Sequence, residues 1–167
     1  MKHLLLLRHG EAETSSATQD DRDRILTAGG LKASEKIGAH IGSRGPVPDL
    51  AMCSAAVRAR ATWDAARRGI SQEIQTDTRD DLYLAEPDRV LSVAATAPPS
   101  CGTLIVIGHN PGFAQLVRLL TVEATPDALS AVSVGFPTTG LAVFDLDIET
   151  WRDLPSARGA LASFVRR

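Results

Sequence analysis

Apolar positions in this chain fall into a few short unbroken runs, separated by stretches in which they recur every three or four residues. Leu4 to Leu7 are apolar without alternation and stop at Arg8-His9-Gly10. Thr103 to Gly108 (T-L-I-V-I-G) repeats the pattern and stops at His109-Asn110-Pro111-Gly112. Unbroken runs of this length suit strands covered on both faces of a sheet. Asp49 to Cys53 predicts a third, short strand and Glu73 to Thr76 a weak one, with Leu141 to Leu146 and Ala162 to Val165 as later strands. Between them, Thr27 is placed to cap a helix through about Ser43, with Leu31, Ile37 and Ile41 on its apolar face and Gly45-Pro46 stopping it. Ser54 is read as the cap of a helix to about Arg68, ended by Gly69. Pro87 suits the first turn of a helix to about Ala97, and Pro111 starts another through about Leu120. Residues 11–24 are polar, with Ser15, Ser16 and Asp20-Asp21-Arg22-Asp23, and predict a long loop.

Strands alternating with helices predict an α/β fold: a single-domain, three-layer α/β/α sandwich with a largely parallel central sheet, spanning residues 1–167. A chain of 167 residues fits one domain and needs no staple. The net charge of −2 supplies no field for nucleic acid or an anionic membrane, so neither is an expected partner. An anionic substrate must then be drawn by a local pocket. Cys53 and Cys101 make neither a disulfide framework nor a metal spacing and read as reduced thiols. Leu4 to Leu7 is too short for a secretory leader, and no apolar run approaches the ~20 residues of a membrane span. The expectation is a cytoplasmic monomer.

In sheets of this kind, sites form beyond the carboxyl ends of the strands. The two clearest strands both end in a histidine, His9 and His109, and Arg58 lies in the first turn after a short strand. A neutral imidazole is a nucleophile near pH 7. Guanidinium forks match the oxygens of a phosphoryl group. Gly10 leaves the backbone beside His9 without a Cβ, so that an oxygen could approach closely. Helix starts near Ser54 and Pro111 could aim positive dipole ends at the same cavity. Taken singly, each residue has a plainer reading. An Arg-His pair is usually a surface feature, a strand-end histidine is usually structural, and Arg58 among Arg60, Arg67 and Arg68 reads as a solvated helix face. His3 and His40 read as structural. The joint arrangement is what points to phosphoryl chemistry.

Leu7-Arg8-His9-Gly10 resembles the signature of the histidine phosphatase superfamily, and the whole chain is similar to SixA-type phosphohistidine phosphatases. Leu26-Thr27-Ala28-Gly29-Gly30 fits that group's L-T-x-x-G turn, and Cys53 to Thr62 resembles its S-P-x-x-R-A-x-Q-T segment, with Arg58 as the second phosphate-binding arginine. Gly108-His109-Asn110-Pro111 matches its G-H-N-P form, and Phe136-Pro137-Thr138 and Trp151…Gly159…Leu161 fit its tail. Ala55 and Ala61 stand where that segment has Pro and Gln. The resemblance implies that His9 attacks phosphorus and becomes phosphohistidine before water hydrolyses it. Arg8, Arg58 and His109 would hold the oxygens, and no cofactor or metal would take part. It further implies a phosphohistidine-bearing protein as partner, a histidine phosphotransfer domain being one form, or else a small phosphorylated molecule. The mutase and bisphosphatase branches add a glutamate as general acid. Glu86, after Leu82-Tyr83-Leu84-Ala85, is the positional candidate and Glu11 the second, with a solvated loop carboxylate as the alternative for each.

Three other readings fail or weaken on spacing. Four residues separate Cys53 from Arg58 and six separate it from Arg60, where a cysteine-phosphatase loop needs five. Asp145-Leu146-Asp147 is followed by Glu149 where a haloacid dehalogenase-type site needs Thr or Val, and too little chain follows for the rest of that machinery. Asp20-Asp21 and Asp80-Asp81 lack further spaced ligands and read as solvated loops. Two alternatives to the phosphohistidine reading stay open: a phosphatase of small phosphate esters, and a phosphate-binding interaction module without turnover.

Overall fold

The structure, a computed structural model, describes residues 1–15 and 19–166. In chain order these form β1 (Lys2–Arg8), α1 (Ala28–Arg44), β2 (Leu50–Ser54), α2 (Val57–Ala66), β3 (Gln75–Arg79), α3 (Pro87–Ala94), β4 (Thr103–Gly108), α4 (Gly112–Leu120), β5 (Thr121–Ala124), α5 (Pro126–Ser133), β6 (Leu141–Leu146) and β7 (Gly159–Val165). Four short 3₁₀ turns, including Asp21–Asp23 and Asp80–Leu82, join them. The strands make one seven-stranded sheet in the order β3-β2-β4-β1-β6-β7-β5. Strands β3, β2, β4 and β1 run parallel, and β5 is parallel to β7. Only β6 runs against its neighbours, β1 and β7.

The unbroken apolar runs have the cause expected of them. Leu4, Leu5, Leu6 and Leu7 are all fully buried, and the pleat divides them. Leu4 and Leu6 enter a core with Phe113, Leu116 and Trp151 beneath α3 and α4, whereas Leu5 and Leu7 enter a second core with Ile37, Ile41 and Trp63 beneath α1 and α2. Strand β4 splits its side chains between the same two cores. With a helical layer on each face, the architecture is the three-layer α/β/α sandwich.

The structure departs from the sequence reading in particular places. Strand β2 runs on to Ser54 because Ser54 pairs with Arg79 of β3. Helix α2 therefore starts at Val57, and Ala56, not Ser54, takes the cap position without a side-chain bond. Strand β3 lies two residues later than Glu73 to Thr76. It is an edge strand of polar residues, so no apolar run marks it. Strand β5 and helix α5 were not foreseen, since Val122, Leu129 and Val134 are exposed and break the periodic pattern. The long loop of residues 11–24 contains a one-residue bridge from Ala12 to Leu26 and the turn at Asp21–Asp23, while Ser16 lies outside the described residues. Cys53 and Cys101 are unpaired and buried. Burial pushes their thiols up to about 12 and about 11, so both are protonated at neutral pH. Among the described residues no helix is long and apolar enough to cross a membrane.

Candidate active site

Strands β1 and β4 lie side by side with Arg8 beside Gly108, so the next residues, His9 and His109, leave the sheet together. The His9 N–H donates to the Gly108 carbonyl at 3.1 Å, and the Thr139 N–H donates to the His9 carbonyl at 3.1 Å, fixing the backbone at this point. The two imidazole centroids are 5.1 Å apart. On the other side of β4, strand β2 ends at Ser54, and the first turn of α2 delivers Arg58, which is only 2% exposed. Arg8, His9, Arg58 and His109 thus line one cavity of about 350 Å3. Three guanidinium groups (Arg8, Arg24, Arg58) face two carboxylates there (Glu11, Asp21), leaving a net positive charge suited to an anion.

The His9 Nδ1 atom lies 2.7 Å from the Gly10 carbonyl oxygen. A carbonyl only accepts, so Nδ1 carries the hydrogen and Nε2 keeps its lone pair. The Arg58 Nε–H donates toward that lone pair from 3.4 Å. Burial first, and the charges of Arg58, Arg8 and Arg24 with it, lower the His9 pKa from 6.5 to about 4, against the Gly10 hydrogen bond, which raises it. The nucleophilic form is therefore the resting form at neutral pH.

Arg58 divides its donors between two tasks. Nη1 donates to the Asp21 carbonyl at 2.6 Å and Nη2 to Asp21 Oδ2 at 2.9 Å. The Nε and Nη2 edge faces His9 Nε2 and, at 3.5 Å, His109 Nδ1. That free edge is the fork a phosphoryl group can take bidentately. The Tyr83 hydroxyl donates to the same Asp21 oxygen at 2.6 Å, and Arg24 donates to Oδ1 at 3.0 Å. The Tyr83 hydrogen bond, followed by those from Arg24 and Arg58, holds the Asp21 carboxyl well below the usual carboxylate range. Arg8 donates through Nη1 to the Phe136 carbonyl at 2.8 Å, and its buried Nε has no partner among the described residues. An orphan donor at this place is one that an anion can satisfy.

Since guanidinium nitrogens only donate, the contact to Arg58 makes His109 Nδ1 the acceptor, and Nε2–H donates to Ser54 Oγ at 2.7 Å. Burial, then His9 and Arg58, lowers the His109 pKa to about 3. An arriving phosphoryl anion favours the imidazolium form and so converts Nδ1 into a further donor.

Several residues read from sequence take other places. Glu86 does not reach the cavity: it is exposed at the start of α3 and lines a separate groove of about 620 Å3 with Asp81, Asp88 and Arg89. The physical reason is the turn at Leu84, which faces Leu84 to the cavity and carries the chain away from it before Glu86. Glu11 does line the cavity, where its carboxylate accepts from the Thr27 hydroxyl at 2.9 Å. Asp21, expected in a solvated loop, holds Arg58. Asp80 pairs with Arg22 and Asp81 with Arg79. The space a Gly10 side chain would need is filled by Gly30 and Ser34 of α1, so this glycine serves helix packing rather than close approach of an oxygen. His3, at the other end of β1 from the cavity, is paired with Asp145 at 2.8 Å rather than isolated. Ser54, Tyr83 and Asp21 were missed. Only Ser54, a third strand-end residue, carried a signal that could have found it.

The lowered histidine pKa values fix a pH dependence. Between about 3 and 6.5 the unfolded chain binds protons that folded His9 and His109 do not. Stability of the ligand-free protein therefore rises with pH across that window and is lost as pH falls through it. Urea midpoints from pH 6.5 down to 4 are expected to fall less steeply in a double variant with glutamine at both positions; equal slopes would contradict this origin.

A sequence model described as the histidine phosphatase superfamily (branch 1) matches residues 4–82. A protein of Mycobacterium tuberculosis strain H37Rv, Rv1276c, is 32% identical over 146 residues, 86% of this chain and 89% of that one. The chain belongs to the histidine phosphatase superfamily. Its fold is also that of two chains to which the name of a phosphohistidine phosphatase, SixA, has been assigned. The one from Agrobacterium tumefaciens is 29% identical with a TM-score of 0.82, covering 99% of this chain and 98% of that one. The one from Nakamurella multipartitia is 27% identical with a TM-score of 0.83, covering 99% and 95%. Within the superfamily the chain is SixA-type, and its reaction class is phosphohydrolysis.

Proposed function

We propose that this protein is a phosphohistidine phosphatase that passes the phosphoryl group through His9 and acts on phosphohistidine carried by a partner protein. The observation that carries the reading is the cavity itself. It holds a nucleophile with a free lone pair, three arginines and a second histidine, while Glu86, the carboxylate best placed in sequence to act as an acid, lies outside it. An alkoxide leaving group needs a proton in the transition state, a contribution usually worth ~10²–10⁴ in rate. Phosphohistidine does not need it from the enzyme. Solvent protonates the free ring nitrogen, and the phosphorus–nitrogen electron pair then leaves on a neutral imidazole. Attack by His9 Nε2 forms the new phosphorus–nitrogen bond. Nδ1–H stays on the Gly10 carbonyl, so the enzyme-bound intermediate is itself a phosphoryl-imidazolium. Water then attacks phosphorus, and His9 is returned with its lone pair. Arg58, Arg8 and protonated His109 balance the charge spread over the three oxygens.

The SixA name of the two similar structures supports the same substrate class. One observation favours a small-ester phosphatase instead: Glu11 lines the cavity and could deliver a proton. Measuring kcat/KM for a phosphohistidine peptide and an alkyl phosphate separates the two. The proposal expects at least about a tenfold preference for phosphohistidine, set by the missing acid. Comparable values, with a large ester-specific loss in Glu11→Gln, would establish the ester reading.

A further inference from the structure

The cavity is lined almost wholly by charged and polar groups, and Leu84 is one of only two apolar residues in its lining among the described residues, with Ala12. Leu84 has two properties that packing alone does not explain. The residue is 48% exposed, and its backbone has φ 47°, in the left-handed region. A non-glycine residue there costs roughly 1–2 kcal/mol, which glycine or asparagine would largely avoid. Strain of this kind persists where neighbours over-determine it, and it gathers at functional sites.

The neighbours do over-determine it. Tyr83 is held by its hydroxyl on Asp21 and by its ring edge against His109, with centroids 5.6 Å apart. On the other side the Ala85 carbonyl is packed against the first residue of α4, so closely that a Cβ on Gly112 would lie 2.0 Å from its oxygen. Between these anchors the chain turns, and the Leu84 side chain is held at the wall of the phosphate cavity.

We infer that Leu84 is the specificity residue for the leaving group, an apolar ledge on which the carbon face of a planar ring such as imidazole lies while phosphorus is held between His9 and Arg58. The inference rests on the proposed function and adds to it a subsite for the group that departs. A phosphoryl donor whose leaving group is ammonia has no ring to place there, so the ledge contributes nothing to its turnover.

The test compares wild type and Leu84→Ala on a phosphohistidine peptide and on phosphoramidate, by kcat/KM. Alanine keeps the backbone conformation and removes the ledge, so the ratio of the two substrates isolates the side chain from any change in folding. Loss of apolar contact in a binding pocket typically costs ~10–200-fold. The expected result is a loss of about tenfold or more on the peptide, chiefly through KM, and a change under about twofold on phosphoramidate. Leu84→Phe should retain the preference. Equal losses on both substrates, or none on either, would overturn the inference and leave the proposed function intact. Failure of wild type to turn over the peptide would sink both.

Discussion

Turnover and covalent labelling disappear together in His9→Ala. Among the described residues near the cavity, no other imidazole, thiol or serine hydroxyl is free to replace the lost nucleophile. Ser54 Oγ is tied to His109 Nε2 at 2.7 Å, and burial keeps the Cys53 thiol protonated. The other imidazole lone pair, on His109 Nδ1, belongs to a ring fixed by Ser54 and faces Arg58. The expected loss approaches the ~10⁶ seen when a hydrolase loses its nucleophile. The measurement is single-turnover alkaline quench with a radiolabelled donor, beside steady-state rates. A variant that still forms a labelled protein, or keeps near-normal turnover, would remove His9 from the reaction.

Arg58→Ala is expected to lower kcat by ~10²–10³, the usual cost of one donor to developing charge. The loss has a second part here, because the Asp21 carboxylate remains in the cavity, still held by Tyr83 and Arg24 but without its ion pair to Arg58. The cavity then holds two guanidinium groups against two carboxylates, so its net positive charge is gone while the donors of Arg8 remain. Arg58→Lys should rescue little. A lysine ammonium cannot hold Asp21 with one edge while offering a planar fork with the other. Asp21→Asn separates the two parts: it keeps an oxygen for Nη2 and removes the negative charge, so KM is expected to stay level or fall while kcat drops modestly. If Arg58→Lys restores most of the activity, the forked geometry is not what Arg58 contributes.

The contrast between these residues shows which parts of the site were legible in the chain. Arg8, His9 and His109 stand at the ends of unbroken apolar runs, where parallel pairing forces neighbouring strands to finish together. Arg58 follows β2 at a distance that one turn and the start of a helix can bridge. Such features depend on local pattern and on one rule of sheet topology. Asp21 and Tyr83 follow no such rule. They come from or beside short 3₁₀ turns 62 positions apart, and only the packing of one turn over the other makes them partners. Glu86 failed for the opposite reason. Its place after Leu82-Tyr83-Leu84-Ala85 made it the positional candidate, but the left-handed turn at Leu84 redirects the chain, and a leucine gives no warning of positive φ. The sheet was read correctly in β1, β4 and β6, β2 was placed one residue early, and β7 begins three residues before the expected Ala162. Its polar edge strand β3 was misplaced and β5 was missed, since a strand without an apolar face leaves no period to read.

The hydrogen bond from His9 Nδ1 to the carbonyl of the very next residue also decides the regiochemistry of the intermediate. With Nδ1 closed to phosphorus, the modification can form only at Nε2, the ring position farther from the backbone. A trapped enzyme should therefore carry the tele isomer, recognisable by its characteristic acid lability and by isomer-selective antibodies. Because that bond is made within a single residue step, it depends on no distant element, so even a variant with a distorted Arg58 or His109 should yield the same isomer, only more slowly.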